Sequence, residues 1–478
     1  MAQKHEEGST GQLLNLCFWY FIFYILTGIF VKFFVPFKVS DMEWLVWSTL
    51  GSNVLCIGVV FALGWFKLKS SNLITWGGIT FPKEYLYIIP SGICTAVVIP
   101  TTTLMYSLPI TVMVAMVIMR GSIIVLSRLI DEIQIRLGIL KKKVYWQENV
   151  GVVIAVLAVS TQLFLNKKVG MDFFTYGPAM VILSSYLVAY FIRIYIMNYY
   201  KNTRPKGAIY DTKGFFGVEQ ISSTITMITV SLLIFNFVNP VKVVTGALDW
   251  KEAGKQVNQT QTFMGEVVAI EKTDEGTFLT FSKEDSTALR VIIPKDLDKK
   301  FTVDTEKLFK GRIVSVTGSV NQVNNSPELL VQTKNDIKIQ DFKQVRDFKK
   351  AFTDTHSNWP WQMIFGSFFG AVAFFSVFIF MFKGRTATFA GLVNRLTSLI
   401  AGTVSTLIVW FVASGKVPAI TQWLSNVSGV EYSLLVEKVA KFPKNADWVT
   451  LVLIFVAVWF LGLAENRRVA ELKKEKEL

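Results

Sequence analysis

The sequence predicts an α-helical multi-pass membrane protein with a small all-β domain inserted into it. Three observations carry that reading. Apolar residues make up 52% of the 478 residues and charged residues only 18%, against about 25% charge in a soluble chain. Ten apolar stretches recur along the chain, each near the roughly 20 residues a helix needs to cross a hydrocarbon core. Between Asn239 and Pro360 the hydropathy collapses and short alternating segments replace the long runs. This composition excludes an ordinary cytosolic enzyme, a disordered chain and a collagen. Cys17, Cys56 and Cys94 all fall in apolar runs, which argues against a disulfide framework.

The ten expected spans are Leu13–Val35, Trp44–Phe66, Tyr85–Tyr106, Leu108–Ile130, Trp146–Leu165, Tyr176–Tyr199, Phe216–Val238, Trp361–Phe382, Ala387–Ala413 and Trp448–Leu463. The first has no small-residue cleavage site after it and reads as retained rather than as a secretory signal. Pro100 and Pro109 predict a tight turn between the third and fourth, because proline removes a backbone donor. Trp44, Trp146, Trp361 and Trp448 each begin a span, as interfacial aromatics do.

Orientation follows from lysine and arginine in the short loops. With the N-terminus inside, the inner segments hold 19 such residues and the short outer loops seven. Both termini are then cytoplasmic and the insert extracytoplasmic. Basic loops facing the cytoplasmic leaflet also account for the net charge of +14 without nucleic acid. The setting expected is a bacterial inner membrane rather than a eukaryotic endomembrane.

Spans one to seven occupy residues 12–238, the β-domain 257–342 and spans eight to ten 360–465. Within the insert, Phe263–Lys272 alternates with period two, with Gly265 where a barrel strand bends. Asp274-Glu275-Gly276 signals a turn. Thr277–Ser282 and Ala288–Ile293 follow as strands, and Pro294–Phe309 is polar with room for a short helix. In Arg312–Val323, Val314, Val316 and Val320 alternate with Ser315, Thr317 and Ser319. Glu328–Thr333 is the fifth strand.

Five short strands with a helix-sized gap between the third and fourth match an OB-fold order. The stretches Phe263-Met264-Gly265-Glu266-Val267 and Gly311-Arg312-Ile313-Val314-Ser315-Val316-Thr317-Gly318 resemble nucleic-acid-type OB-fold families. The residues themselves disfavour nucleic acid. From Val257 to Gln340 there are 11 Lys/Arg against 12 Asp/Glu, with five Phe and neither Trp nor Tyr, whereas single-strand binders want a positive groove and stacking aromatics. An extracytoplasmic module that packs on the helical part or meets a protein or glycan suits this domain better.

Spans one to five and six to ten form two halves. An odd number of spans per half forces opposite orientations, as in inverted-repeat transporters. The fourth span places Arg120 eight residues after Val112, and the ninth places Arg395 eight residues after Ala387. The stretch Tyr106-Ser107-Leu108-Pro109-Ile110-Thr111, through Met119-Arg120-Gly121-Ser122, to Trp146-Gln147-Glu148-Asn149-Val150-Gly151 resembles the drug/metabolite transporter superfamily, and within it carriers related to nucleotide-sugar transporters. The resemblance implies a ten-helix carrier with a central cavity that works by alternating access. The chain departs from the family pattern in its large insert and in lacking a Tyr-Asn-Asn run.

An ionisable group in the bilayer interior costs at least about 2.5–3.5 kcal/mol, so it reads as functional by default. Arg120, Arg395 and Glu219 stand out. Two guanidiniums opposed across a cavity suit phosphate or carboxylate, which arginine grips in bidentate fashion; helix capping or snorkelling is the competing reading. Glu219 can pair with an arginine, carry a coupling proton, or be a surface carboxylate at the cytoplasmic end. Arg128 and Arg193 lie nearer the span ends, where snorkelling is expected. Tyr106, Tyr186 and Tyr190 are candidate cavity-lining residues. Gly366 and Gly370 form a GxxxG that permits packing within the bundle or a homodimer. Asn258-Gln259-Thr260, Asn324-Asn325-Ser326 and Asn426-Val427-Ser428 are sequons on outer segments. There is no phosphate-cradling glycine loop, zinc helix motif or nucleophile elbow, so neither cofactor nor metal is expected.

The reading these features favour is a secondary transporter, not an enzyme, moving a small polar metabolite, an anionic one if the paired arginines contact it. The alternative is a non-transporting membrane receptor or scaffold presenting the OB-like domain.

Overall fold

The fold is that of a computed structural model, which describes residues 10–34, 39–107, 112–140, 144–164, 177–203, 209–282, 285, 288–301, 304–323, 326–382, 387–428 and 442–477. Pro109 and the Asn324 sequon lie outside the described residues. The chain divides into two compact units, one of residues 1–231 and 354–478 and one of residues 232–353.

The first unit is helical. Its long helices are α1 (Thr10–Phe34), α2 (Asp41–Ala62), α3 (Tyr85–Ser107), α4 (Val112–Arg136), α5 (Trp146–Phe164), α6 (Gly177–Asn202) and α7 (Thr212–Phe237). Among the described residues nine helices are long and apolar enough to cross a membrane, which makes this a multi-pass helical membrane protein. In α5 the apolar helix among the described residues, Trp146–Thr161, is shorter than the other nine.

Several details differ from expectation. Pro100 does not end a helix. It lies inside α3 with Pro90, where the Thr101, Thr102 and Thr103 hydroxyls bond to the Val97, Val98 and Ile99 carbonyls. Threonine hydroxyls and neighbouring helices let a membrane helix carry proline. Trp44 is 3% exposed, so it packs inside the protein rather than joining an interfacial belt. The loop after α2 holds a hairpin of β1 (Leu73–Trp76) and β2 (Ile79–Pro82), turning through Gly77 and Gly78 at positive φ.

In the second unit, β3 (Leu248–Asp249), β4 (Thr260–Glu266), β5 (Ala269–Lys272), β6 (Gly276–Thr280) and β7 (Arg290–Pro294) are followed by two short helices, α8 (Lys295–Asp298) and α9 (Thr305–Phe309). Next come β8 (Ile313–Val323), β9 (Ser326–Leu330), β10 (Ile337–Ile339) and α10 (Lys343–Thr353). The order is β3-β4-β8-β9-β7-β6-β5, with β10 on β8. β7 and β9 are parallel, while β4–β8, β8–β9, β6–β7 and β5–β6 are antiparallel. Phe263, Val291, Val314, Val316 and Leu329 are fully buried in its core. Gly265 serves packing: a Cβ there would lie 2.6 Å from the Phe281 ring.

The helical unit is completed by α11 (Trp359–Phe380), α12 (Ala387–Ala413), α13 (Pro418–Ser428) and α14 (Asn445–Glu477). α11 packs on α2 and α1, α12 on α1 and α4, α14 on α5, and α6 on α3 and α4. The Gly366/Gly370 pair works inside the bundle. A Cβ at Gly370 would lie 2.6 Å from the Ser52 carbonyl oxygen, and Gly366 abuts the Ser48 backbone in the same way. The lack of side chains lets α11 lie directly on α2.

Candidate functional site

Helical periodicity gathers the site. Tyr20 and Tyr24 are one turn apart on α1, and Tyr186, Tyr190 and Arg193 fall on one face of α6. α4 carries Arg120 and α12 carries Arg395. Because α12 lies on α1 and α4, and α6 lies on α4, these faces meet inside the bundle.

Arg120 is 3% exposed. Its Nη1 donates to the Tyr186 hydroxyl at 3.1 Å and the Tyr190 hydroxyl at 3.3 Å. Its Nη2 donates to Tyr24, which also accepts from the Tyr106 hydroxyl at 2.9 Å. Arg395 is 1% exposed and sits over aromatic rings, its guanidinium carbon 5.3 Å from the Tyr190 centroid and 5.4 Å from that of Phe380. Among the described residues, its Nε, Nη1 and Nη2 have no hydrogen-bond partner. Cation–π contact supplies about 0.5–2 kcal/mol but brings no counter-charge. Next to Arg395, Asn394 accepts from Tyr20 at 3.3 Å and donates to Ser376 at 3.2 Å.

Glu219 lies beside this cluster and is fully buried. Arg193 grips it with both arms, Nε to Oε1 at 2.8 Å and Nη2 to Oε2 at 3.1 Å. Ser91 and Thr95 of α3 donate to Oε1 at 2.7 and 3.1 Å. The carboxylate thus ties α3, α6 and α7 together. It is not a surface group, and Arg193, 4% exposed, does not snorkel; a carboxylate within reach holds it inside. Arg128 bonds to Glu132 one turn on, at 3.2 Å.

All six residues singled out in the sequence, Arg120, Arg395, Glu219, Tyr106, Tyr186 and Tyr190, therefore come together. Tyr190 is the hub: Arg120 and Arg193 stand 5.9 Å from its ring, and Arg395 5.3 Å. Sequence reasoning missed Tyr20, Tyr24, Asn394 and the role of Arg193. The four-residue spacing of Tyr20 and Tyr24 in a span otherwise rich in Phe was the available signal. Among the described residues no group of His, Cys, Asp and Glu is placed to hold a metal ion.

The arrangement offers many donors and few acceptors. Hydrogen bonds and charge contacts in such a low-dielectric interior are strong. No family model matches the chain, and no curated protein gives a significant match.

Proposed function

We propose that this chain is a secondary transporter of the drug/metabolite type, moving a small polar anion across the membrane by alternating access. The observation that carries the reading is Arg395, buried and, among the described residues, without a hydrogen-bond partner beside Arg120 and a set of tyrosines. A guanidinium kept there at an insertion cost of at least about 2.5–3.5 kcal/mol needs a purpose.

Helix packing supports two inverted repeats of five spans, α5 being the tenth. Exchange α1–α5 for α6, α7, α11, α12 and α14. The contact of α1 with α11 then maps onto α6 with α3, α1–α12 onto α6–α4, and α4–α5 onto α12–α14. α4–α12 and α5–α14 map onto themselves. Gly366 and Gly370 abut Ser48 and Ser52, as Gly92 of α3 abuts Glu219 and Ser223 of α7. Under this exchange Arg120 and Arg395 are equivalent positions, which supports the repeat reading.

In the β-unit, β4 and β5 read together as one broken first strand. The pairing then runs first, fourth, fifth, third, second and back to the first, with the third and fifth parallel. That order supports an OB-type barrel. Phe263, Phe278, Phe281 and Phe309 are all buried, leaving little aromatic surface for bases to stack on. A protein or glycan partner in an extracytoplasmic space fits better than nucleic acid.

Counterflow in proteoliposomes tests the function. Vesicles loaded with a mixture of unlabelled anionic metabolites should drive uptake of at least one labelled member. Absence of protein-dependent exchange across the mixture would sink the transporter reading.

A further inference from the structure

We infer that the central site takes a doubly charged anion. The inference rests on the transporter reading and adds the charge its substrate carries.

Arginine keeps its proton in a protein, so each buried guanidinium is a fixed positive charge. Three of them gather on the Tyr190 ring: Arg120, Arg193 and Arg395. Glu219 cancels one, through its two-armed pair with Arg193. The other two have only neutral company. Arg120 donates to tyrosine hydroxyls, and Arg395 lies against the rings of Tyr190 and Phe380. Among the described residues no carboxylate pairs with either. Two positive charges thus stand uncompensated in one buried cluster.

The hydrogen-bond inventory points the same way. Arg395 offers all three nitrogens and Arg120 its Nε. Tyr186 and Tyr190 accept from Arg120, and each keeps a hydroxyl proton to donate. The unsatisfied guanidinium nitrogens are all donors. A zwitterion would bring an ammonium to a site whose one carboxylate is already engaged. A mono-anion would leave one guanidinium unneutralised. Inorganic phosphate, a phosphate monoester or a short dicarboxylate satisfies both the charge and the donors.

The test is the thermal melt of the purified full-length protein in detergent, at pH 7.5 and constant ionic strength. The probes are inorganic phosphate, a four-carbon dicarboxylate, acetate and chloride. At millimolar concentration at least one dianion should raise the midpoint by several degrees, while acetate and chloride leave it in place. Whichever dianion acts tells phosphate from dicarboxylate recognition. The shift should vanish in Arg395→Gln and Arg120→Gln and shrink in Arg395→Lys, which keeps the charge but loses the planar fork. Equal shifts from acetate and phosphate, no shift from either dianion, or a dianion shift that survives in both Gln variants would overturn the inference. Melts and counterflow fail separately. Dianion binding without exchange spares this inference and removes the transporter reading; exchange with equal mono-anion binding does the reverse.

Discussion

Arg395 stacks over Tyr190 at 5.3 Å with none of its nitrogens hydrogen-bonded among the described residues. A buried charge held this way destabilises the empty protein, and under the proposed function it is the anion contact that retains it. Arg395→Met should therefore raise the thermal midpoint of the ligand-free protein, by a stabilisation of about 2–3 kcal/mol, the order of the insertion cost removed. The same variant should lose anion-dependent stabilisation. A midpoint lowered by the substitution would mark the arginine as a structural strut.

Arg193 and Glu219 behave in the opposite way, because each is the other's compensation. Removing one partner leaves a lone buried charge, which costs about 3–5 kcal/mol. Glu219→Leu or Arg193→Met alone should sharply reduce the monodisperse fraction after detergent extraction. The double variant should recover most of that loss. If both single variants extract and melt like wild type, the pair does not hold α3, α6 and α7 together.

The β-unit has its own core, so residues 239–353 should fold alone with a cooperative melt, and Phe263→Ala should cost about 3–5 kcal/mol. Burial raises the Asp347 carboxyl above its usual range against the lowering effect of Lys343, Arg346 and Lys350. The neutral form is thus favoured in the fold. Its contribution is complete below the unfolded value and fades as pH rises through the folded one. Asp347→Asn should stabilise the isolated unit at neutral pH and make no difference in acid. An equal effect at both pH values would contradict this.

Orientation is open to a direct check. Asn335 is exposed on the β-unit, while Cys17 and Cys56 are buried. Asn335→Cys should react with a membrane-impermeant maleimide in intact cells well above the wild-type background. Labelling only after lysis would place the unit, and with it both termini, on the reverse sides.

Much of this was legible in the sequence because hydrocarbon imposes length. Among the described residues nine of the ten expected spans correspond to helices long and apolar enough to cross a membrane, and the strand around Val314, Val316 and Val320 is β8. The helix-sized gap after the third strand holds α8 and α9. What failed depended on partners distant in sequence. Arg193 looked like a snorkelling residue because its carboxylate lies 26 residues away. Trp44 looked interfacial because nothing local says which way a span-start ring points. Pro100 reads as a turn because proline removes a backbone donor, whereas inside α3 it is accompanied by threonines whose hydroxyls bond to the preceding carbonyls. Tyr24 escaped because its importance comes from Arg120 on another helix.

The proposed role of Arg120 and Arg395 in carrying an anion through the membrane is tested most directly by initial uptake into proteoliposomes, comparing wild type with Arg120→Gln and Arg395→Gln at equal reconstituted protein. For the anion exchanged by wild type, each substitution should slow uptake at sub-saturating substrate at least about 30-fold, the equivalent of 2 kcal/mol or more for a lost buried charge contact. Wild-type uptake by both variants would contradict the account.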